Sequence, residues 1–485
     1  MSELVPTGLD RKYEPPKLKR IIAISCSNLF WIVIFTAQAR FQIYATKVLG
    51  LDPFLIALFI AIFVIWDIVN DPLIGRTSDK TKRLTRRYGK RLPLIILANI
   101  GMMVFLILQF LPWPIKQGGG LADESLIIPA LIWITIMICL FDFFQTFREM
   151  NLEASLTDLM RDQESRRRIA LFDAFTINLI GMVLGLLLVP LLLSSFHAFD
   201  RTGRAENPNA FFMMGVVVAL IYVIGLPLAI YGLREPKEMR EFRAEFDEIV
   251  ERPPFKEVIK RAFKDKNWLA FMIVDLQWAI INRTFITGLD YYVVDGLGMD
   301  ISFAIIPQIA VVLGLVIFGV VAYFTMKKWG TRKTTLLGIA ITSIGFFLCV
   351  FSTDIWSLTL FYLIGAAGVG LQVNARSVVL KQALDDSVLK HGTREEGQYN
   401  SINGMLRSTN LAIQALAFAV IWAIFGYDPL LGTKNTDLAK FGLLFTISVF
   451  LGIVSLLAGI AFWKLFDITK DREDLIKENL LKLGR

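Results

Sequence analysis

The sequence has few of the residues that metalloenzymes and disulfide-rich proteins depend on. It holds 3 cysteines and 2 histidines in 485 residues, which excludes a disulfide framework and a histidine-rich metal site. Both histidines, His197 and His391, fall in predicted loops. There is no nucleotide-binding loop and no Ser/His or Cys/His pair at membrane depth. We therefore predict that the protein is not an enzyme and has no cofactor.

Charge is also scarce, and apolar residues are abundant. Charged residues make up 19% of the chain and hydrophobic residues 55%, and the mean hydropathy is +0.57. A typical soluble domain is about 25% charged. Twelve membrane helices of about 20–23 residues need roughly 240–276 residues, which matches the apolar content. The predicted spans are 21–45, 52–73, 93–112, 126–147, 168–194, 210–232, 267–294, 303–326, 334–352, 355–380, 401–427 and 438–463.

The basic residues are distributed very unevenly among the loops. The two termini and alternate loops hold 41 Lys and Arg, and the opposite loops hold 5: Lys47, Lys116, Arg201, Arg204 and Lys434. This bias predicts that both termini are cytoplasmic. The net charge of +8 is then an orientation signal, so we expect a lipid bilayer and no nucleic acid as partner. We predict a monomeric, multi-pass plasma-membrane protein.

A long charged segment divides the chain into two parts of six spans each. We predict an N-terminal six-helix half at 1–232, a central cytoplasmic loop at 233–266, a C-terminal six-helix half at 267–463 and a cytoplasmic tail at 464–485. Two such halves are typical of secondary transporters whose site lies near the membrane midplane.

The second span carries polar residues that are costly in a membrane. Asp67, Asn70 and Asp71 are spaced i, i+3 and i+4, so they share one face of a helix. Oxygen ligands suit a hard cation, and without one, two close carboxylates could not both stay ionised. The cluster therefore fits Na⁺ or H⁺. The alternative is a solvated helix end near the cytoplasm.

The residues around this cluster resemble a known family. Segments 67–75, 78–81 and 87–93 are similar to span 2 and the following loop of the glycoside–pentoside–hexuronide:cation symporters, which belong to the major facilitator superfamily. Segments 286–292 and 385–399 resemble further parts of that family. The resemblance covers nearly the whole chain. It implies an all-α fold of twelve membrane helices in two six-helix halves.

The resemblance also implies roles for individual residues. The coupling cation, Na⁺ with Li⁺ or H⁺ as alternatives, would be bound by Asp67, Asn70, Asp71 and Thr146. Glu149 stands where the family has a substrate-binding aspartate. The alternative for Glu149 is a solvated residue at a helix end, paired with the neighbouring arginine.

The sugar half of the family's site differs here. Trp31 and Ala174 stand where the family's type member has an aspartate and an arginine, and Arg407 stands at or beside a family lysine. Trp31 is a candidate substrate residue because of this aligned position. We expect the cation half of the site to be retained and the substrate half to be rebuilt.

Four arginines lie inside predicted spans: Arg40, Arg283, Arg376 and Arg407. Intramembrane acids that could balance them are Asp142, Asp173, Asp275 and Asp290. One interpretation is pairwise salt bridges. The other is that Arg376 and Arg407 bind an anionic group, since a guanidinium suits carboxylate, sulfate or phosphate. A hexuronide, a sulfonated sugar or a lysophospholipid would supply that group.

The loop after span 2 resembles a gating motif of the superfamily. Gly75 permits close helix packing, and Asp79 with Arg87 and Arg91 can form a charged latch. Plain positive-inside anchoring is the alternative. Together these patterns predict a cation-coupled symporter, Na⁺-driven, for a glycoside or anionic sugar. The alternative is a lysophospholipid carrier of the same fold.

Overall fold

The computed structural model describes residues 14–79, 89, 91–160, 162–236, 255–391, 396–473 and 475–476. For some residues within the helices only the backbone is described, among them Asp71, Gly75 and Asp79.

Twelve helices in the described part of the chain are long and apolar enough to cross a membrane. They are α1 Leu18–Val48, α2 Pro53–Asn70, α3 Leu92–Gln109, α4 Glu124–Leu156, α5 Arg167–Ser195, α6 Ala210–Leu233, α7 Lys266–Gly296, α8 Ile301–Trp329, α9 Thr331–Phe351, α10 Ile355–Ser387, α11 Ser401–Phe425 and α12 Asp437–Leu465. The predicted number of spans is confirmed. Below, α1–α6 are called the first half and α7–α12 the second half.

Several helices extend beyond the apolar span. The helix of α2 ends at Asp79, that of α4 at Leu159 and that of α10 at His391. The predicted loop at 148–168 is therefore helical in its first part, and His391 ends a helix instead of lying in a loop. The segment 148–159 holds three Leu and two Glu, which favour a helix, and lacks Gly and Pro. Its charged residues end the apolar span but do not break the helix.

Three spans are interrupted by π-helical turns: Tyr44–Val48 in α1, Ala174–Gly181 in α5 and Tyr292–Gly296 in α7. The first and last lie at the same ends of α1 and α7, which are the first helices of the two halves. The remaining elements are a helix at Phe255–Ala262, which precedes α7, and 3₁₀ turns at Glu124–Leu126, Ile301–Ala304, Cys349–Phe351 and Gly432–Lys434.

The helix α2 shows how the sequence positions the polar residues. Its exposed apolar residues form one stripe, with side chains suited to lipid: Leu58, Ile62, Ile65 and Val69. The buried residues form another stripe: Ile60, Phe63, Asp67 and Asn70. In a bilayer the apolar stripe faces the tails, and polar groups must turn inward. The lipid-facing side therefore fixes the orientation of Asp67 and Asn70 toward the protein interior.

Glycines bring α9 and α10 close together. A Cβ added to Gly345 would lie 2.3 Å from the backbone nitrogen of Gly365, and one added to Gly368 would lie 2.4 Å from the carbonyl oxygen of Gly338. Membrane helices that carry small residues at their interface approach closely in this way. The second half is thus tightly packed where α9 and α10 meet.

Candidate functional site

At the end of the molecule opposite the termini, two buried ion pairs join the halves. Arg40 Nε donates to Asp290 Oδ2 at 2.9 Å, and both side chains are fully buried. Lys47 and Asp295 form the second pair and are also fully buried. Tyr427 donates its hydroxyl to Asp295. These contacts connect the ends of α1 and α7, so we call this region the sealed end.

Neutral contacts reinforce the sealed end. The hydroxyls of Thr46 and Tyr291 are 2.6 Å apart, and the backbone amide of Thr433 donates to the carbonyl of Thr202 at 2.8 Å. The sequence-based placement of Lys47 in a solvated loop is wrong, because the helix continues to Val48 and buries this lysine against Asp295.

The predicted cation residues meet a second carboxylate. Asp67 and Asn70 are 8% and 2% exposed. Asp67 interacts with the side chains of Asp142 on α4 and Ser408 on α11. Thr146 lies one turn after Asp142 and is half-buried. The backbone of Asp71 continues the α2 helix, and its side chain lies outside the described set, so its role stays a prediction.

A charged cluster lies where α7, α10 and α11 meet. Asp275 contacts the other members of this cluster. It forms a salt bridge with Arg376, accepts a hydrogen bond from Asn403 Nδ2 at 2.8 Å and lies 3.9 Å from Arg407 Nε. Glu149 of α4 lies within electrostatic range of Arg407. Three of the four predicted substrate residues are therefore brought together, and both halves contribute.

The two arginines of this cluster differ in how fully they are engaged. The side chain of Asp275 is 3% exposed, that of Arg376 24% and that of Arg407 50%. Arg376 forms the close salt bridge that the sequence offered as one interpretation. Arg407 is only loosely paired and half-exposed, so its donors are available to a ligand.

The remaining predicted substrate residue, Trp31, lies beside a different cation. The guanidinium of Arg148 is 5.8 Å from the Trp31 ring centroid and donates to Asn28 Oδ1 at 2.7 Å. Glu149 accepts a hydrogen bond from Gln145 Nε2 at 3.3 Å. Arg148 is 5% exposed, so its prediction as a loop residue is wrong. Its burial against α1 directs it toward Trp31 and Asn28.

The predicted latch is only partly described. Arg91 Nη1 donates to Asn151 Oδ1 at 3.5 Å, which ties the start of α3 to the extension of α4. The side chain of Asp79 and the whole of Arg87 lie outside the described residues, and for Gly75 only the helical backbone is described. The gating role of these residues therefore stays a prediction.

A separate ion-pair network lies near the termini. Lys390 contacts Asp265 at 3.2 Å and also pairs with Asp386, and Arg472 Nη2 donates to Asp386 at 3.0 Å. Partial burial works against the charge of Lys390, but the two carboxylates raise its pKa. The network attaches the segment after α12 to the second half, so it has a structural role.

The sequence identified the charged residues inside the spans, but it did not show all the contacts that they make. Asp142 and Asp275 are predicted to balance arginines, and they do, since Asp142 lies within electrostatic range of Arg283 and Asp275 pairs with Arg376. The sequence did not show that Asp142 also interacts with Asp67, or that Asp275 also contacts Asn403 and Arg407. Within the part of the chain that the structure describes, no group of three His, Cys, Asp or Glu side chains is arranged to hold a metal. Among the described side chains, Asp67 interacts with one other carboxylate, that of Asp142, and with the hydroxyl of Ser408.

Comparison with known proteins places this arrangement in a family. A sequence profile of MFS/sugar transport proteins matches residues 26–470. The lactose permease of Leuconostoc lactis is 23% identical over an alignment of 427 residues, which covers 82% of this chain and 61% of the permease. The sodium-dependent lysophosphatidylcholine symporter 1-A of Danio rerio is 22% identical over 385 residues, 73% of this chain and 67% of the symporter. The chain thus spans about three-fifths of the permease's length.

Solved structures agree on the fold. The nucleoside transporter NupG superposes with a TM-score of 0.61 at 12% identity, covering 94% of this chain and 100% of that one. A D-xylose-proton symporter gives a TM-score of 0.61 at 15% identity, covering 93% and 98%.

The twelve helices, the shared fold and the matching profile place the chain among the multi-pass membrane proteins of the major facilitator superfamily. More particularly, the chain belongs to the MFS/sugar transport protein family. The resemblance noted in the sequence is thereby confirmed, since sugar carriers and sodium-dependent lysophosphatidylcholine symporters are both among the relatives.

Proposed function

We propose that the protein is a Na⁺-coupled symporter of a glycoside that carries an anionic group, such as a hexuronide. Asp67, Asn70, Asp71 and Thr146 would bind the cation, and Arg407 with Glu149 would bind the substrate. Cation-coupled transport is supported by the sodium-dependent relatives. The choice of Na⁺ rests on the oxygen-only character of the residues around Asp67.

One observation carries the proposal: neighbouring residues of α11 reach both clusters. Ser408 contacts Asp67 of α2, and Arg407 lies 3.9 Å from Asp275 and within electrostatic range of Glu149. A movement of α11 that accompanies cation binding would therefore shift the guanidinium that binds substrate. Such a shared element is what coupling between two sites requires.

The charge balance supports an anionic substrate. Arg376 is neutralised by Asp275, whereas Arg407 has only the loose contact to the same carboxylate. A guanidinium with free donors in a membrane protein is costly unless a ligand or water satisfies it. A carboxylate on the substrate would complete the pairing of Arg407, and the neutral parts of a sugar would hydrogen-bond to the amides nearby.

In an alternating-access cycle, the sealed end would close the protein on one side of the membrane. We propose that the termini are cytoplasmic, as the loop charges predict, so that the sealed end faces outward and substrate leaves toward the cytoplasm. Transport would require the Arg40–Asp290 and Lys47–Asp295 pairs to separate. We propose a monomer in the plasma membrane, because each half contributes to both clusters within one chain.

The test is uptake into proteoliposomes under an imposed Na⁺ or pH gradient, with a panel of glycosides, hexuronides and lysolipids. Accumulation of a hexuronide that requires Na⁺ supports the proposal. Accumulation driven by the pH gradient alone would replace Na⁺ by H⁺, and transport of neutral glycosides with equal efficiency would remove the anionic requirement.

A second candidate is a carrier of lysophospholipids. A mostly apolar crevice lies between α5 and helices α7–α10, lined by Met182, Leu186, Trp278, Phe285 and Phe346 among others. It is suited to an acyl chain, and Arg407 would bind the phosphate. The two candidates differ in which ligand raises the melting temperature of the detergent-purified protein: lysolipids favour this one and glycosides the first.

A further inference from the structure

The family resemblance supplies ion-binding residues from α2 and α4, but the structure places two other oxygen-bearing groups around Asp67. The carboxylate of Asp142 on α4 and the hydroxyl of Ser408 on α11 both interact with it. Trp66 Nε1 donates to the carbonyl of Cys139 at 3.1 Å, which sets the register of α2 against α4 one turn before Asp142. The approach of the two carboxylates is therefore a product of helix packing.

A second observation points to a ligand at this position. Asn70 lies one turn after Asp67 on the same buried stripe and is 2% exposed. Among the residues that the structure describes, its side-chain Nδ2 has no hydrogen-bond partner. A buried amide without a partner costs about 1–3 kcal/mol. The Nδ2 group is a donor and cannot bind a cation itself, but rotation of the amide by 180° exchanges it with the carbonyl oxygen. In that orientation the side chain of Asn70 would add an oxygen ligand.

The hydroxyl of Ser408 has backbone acceptors besides the carboxylate of Asp67. It hydrogen-bonds to Asp67, and it also lies 3.2 Å from the carbonyl oxygen of Gly404 and 3.0 Å from that of Met405, with geometry for donating to either. A hydroxyl has one proton and two lone pairs. If the proton turned to the backbone of α11, the lone pairs of Ser408 would be free to bind a cation held by Asp67.

We propose that the coupling cation is bound by Asp142 and Ser408 together with Asp67 and Asn70, so that the ion bridges the two halves. This rests on the proposed function. Asp67, Asn70 and Asp142 belong to the first half, and Ser408 belongs to the second. The cation thus binds α11 to α2 and α4 directly, and the neighbouring Arg407 is positioned as a consequence.

A buried arginine stabilises the second carboxylate when no cation is bound. Arg283 of α7 lies within electrostatic range of Asp142 and donates to Gln38 Oε1 at 3.1 Å. Its guanidinium also lies over the rings of Phe35 and Phe41 at 5.7 and 6.0 Å. Because α7 and α1 hold Arg283 in place, its charge balances Asp142 in the absence of cation.

The experiment measures cation binding without transport. The full chain is purified in detergent, and its melting temperature and ²²Na⁺ binding are followed as NaCl replaces choline chloride at constant ionic strength. The variants are Asp142→Asn and Ser408→Ala. Loss of a direct ligand should weaken Na⁺ binding by at least about tenfold. Loss of a residue that only supports a metal ligand already weakens metal binding by about 10–100-fold.

Matched controls use groups of the same kind that lie outside the cluster. Thr409→Ala removes a hydroxyl next to Ser408 that donates to the carbonyl of Leu406 at 2.6 Å. Asp173→Asn removes a half-buried carboxylate of α5. Both should bind Na⁺ like the unmodified protein. If Asp142→Asn fails to fold, Ser408→Ala decides the question, because it removes one oxygen from a half-buried side chain.

The outcomes separate this inference from the proposed function, with Asp67→Asn as the additional variant. If Asp67→Asn, Asp142→Asn and Ser408→Ala all lose Na⁺ binding while the controls keep it, the bridging site is supported. If only Asp67→Asn loses it, the bridging site is overturned and the symporter proposal stands. If the unmodified protein binds no Na⁺, both fail.

Discussion

The sealed end and the cluster around Asp275 both join the two halves through charged residues, but they do so differently. At the sealed end Arg40, Asp290, Lys47 and Asp295 are fully buried and each has an opposite charge in contact. In the cluster around Asp275, Arg407 is half-exposed and loosely paired.

This difference indicates which charges hold the structure and which are available to bind. A buried pair with additional hydrogen bonds has no capacity left for a ligand, and removing one partner strands the other. A loosely paired, half-exposed guanidinium costs little to redirect. The degree of pairing therefore separates residues that hold the halves together from residues that we propose to contact substrate. The predictions below test this separation.

The largest effect is expected at the cation site. Asp71→Asn should abolish uphill uptake into proteoliposomes, because the loss of one carboxylate removes the dependence on the cation gradient. Exchange of substrate across the membrane should survive, since the substrate residues are intact. Asp173→Asn is the control with normal uptake. Unchanged accumulation by Asp71→Asn would remove this residue from the cation site.

The next effect is expected at the sealed end. Lys47→Met leaves Asp295 buried without its cation, which costs roughly 3–5 kcal/mol. The sealed conformation should become less populated, so a cysteine introduced at Thr433 in a background without native cysteines should react faster with a maleimide. The double variant with Asp295→Leu should restore slow labelling. Equal labelling rates in all three proteins would show that this pair does not hold the halves together.

A smaller effect is expected from Arg376 and Arg407, and it should differ between the two. Arg407→Ala should raise the KM for an anionic substrate by about tenfold, equivalent to about 1.4 kcal/mol, with little change in melting temperature. Arg376→Ala should lower the melting temperature as well, because Asp275 is 3% exposed and loses its close partner. Normal transport by both variants would exclude an anionic substrate bound here.

The smallest effect is expected near the termini. Lys390→Ala removes a 40% exposed partner of Asp265 and Asp386, and exposed pairs contribute about 0.2–1 kcal/mol. The pKa of Lys390 is raised in the folded protein, so its contribution is present below the unfolded pKa of about 10.4. It is lost only as the pH rises through the higher folded value. Thermal unfolding at pH 6 and pH 8 should show the same small difference from the unmodified protein.

The sequence predicted the twelve spans and the candidate residues of α2 because both follow from local patterns. An apolar run of about 20 residues requires a helix in a bilayer, and the i, i+3 spacing of Asp67 and Asn70 places them on one face wherever the helix goes. Neither inference needs knowledge of which helices become neighbours.

The partners could not be predicted in the same way. Arg40 and Asp290 are 250 positions apart, and Lys47 and Asp295 are 248 apart. Nothing local distinguishes Lys47, which ends an apolar segment, from a lysine in a loop. The contact of Asp142 with Asp67 depends on the register of α2 against α4, which is fixed by packing along their whole length. Pairings of this kind require the tertiary structure.

The π-helical turns of α1 and α7 have a mechanical consequence. Each carries one member of a single ion pair, Lys47 in Tyr44–Val48 and Asp295 in Tyr292–Gly296. A π turn accommodates one surplus residue, and each residue of an α-helix advances the direction of its side chain by about 100°. If a turn reverted to α geometry, the charge it carries would swing away from its partner while the rest of the span stayed in place. A local twist of two helix ends would therefore separate the Lys47–Asp295 pair without a tilt of either half.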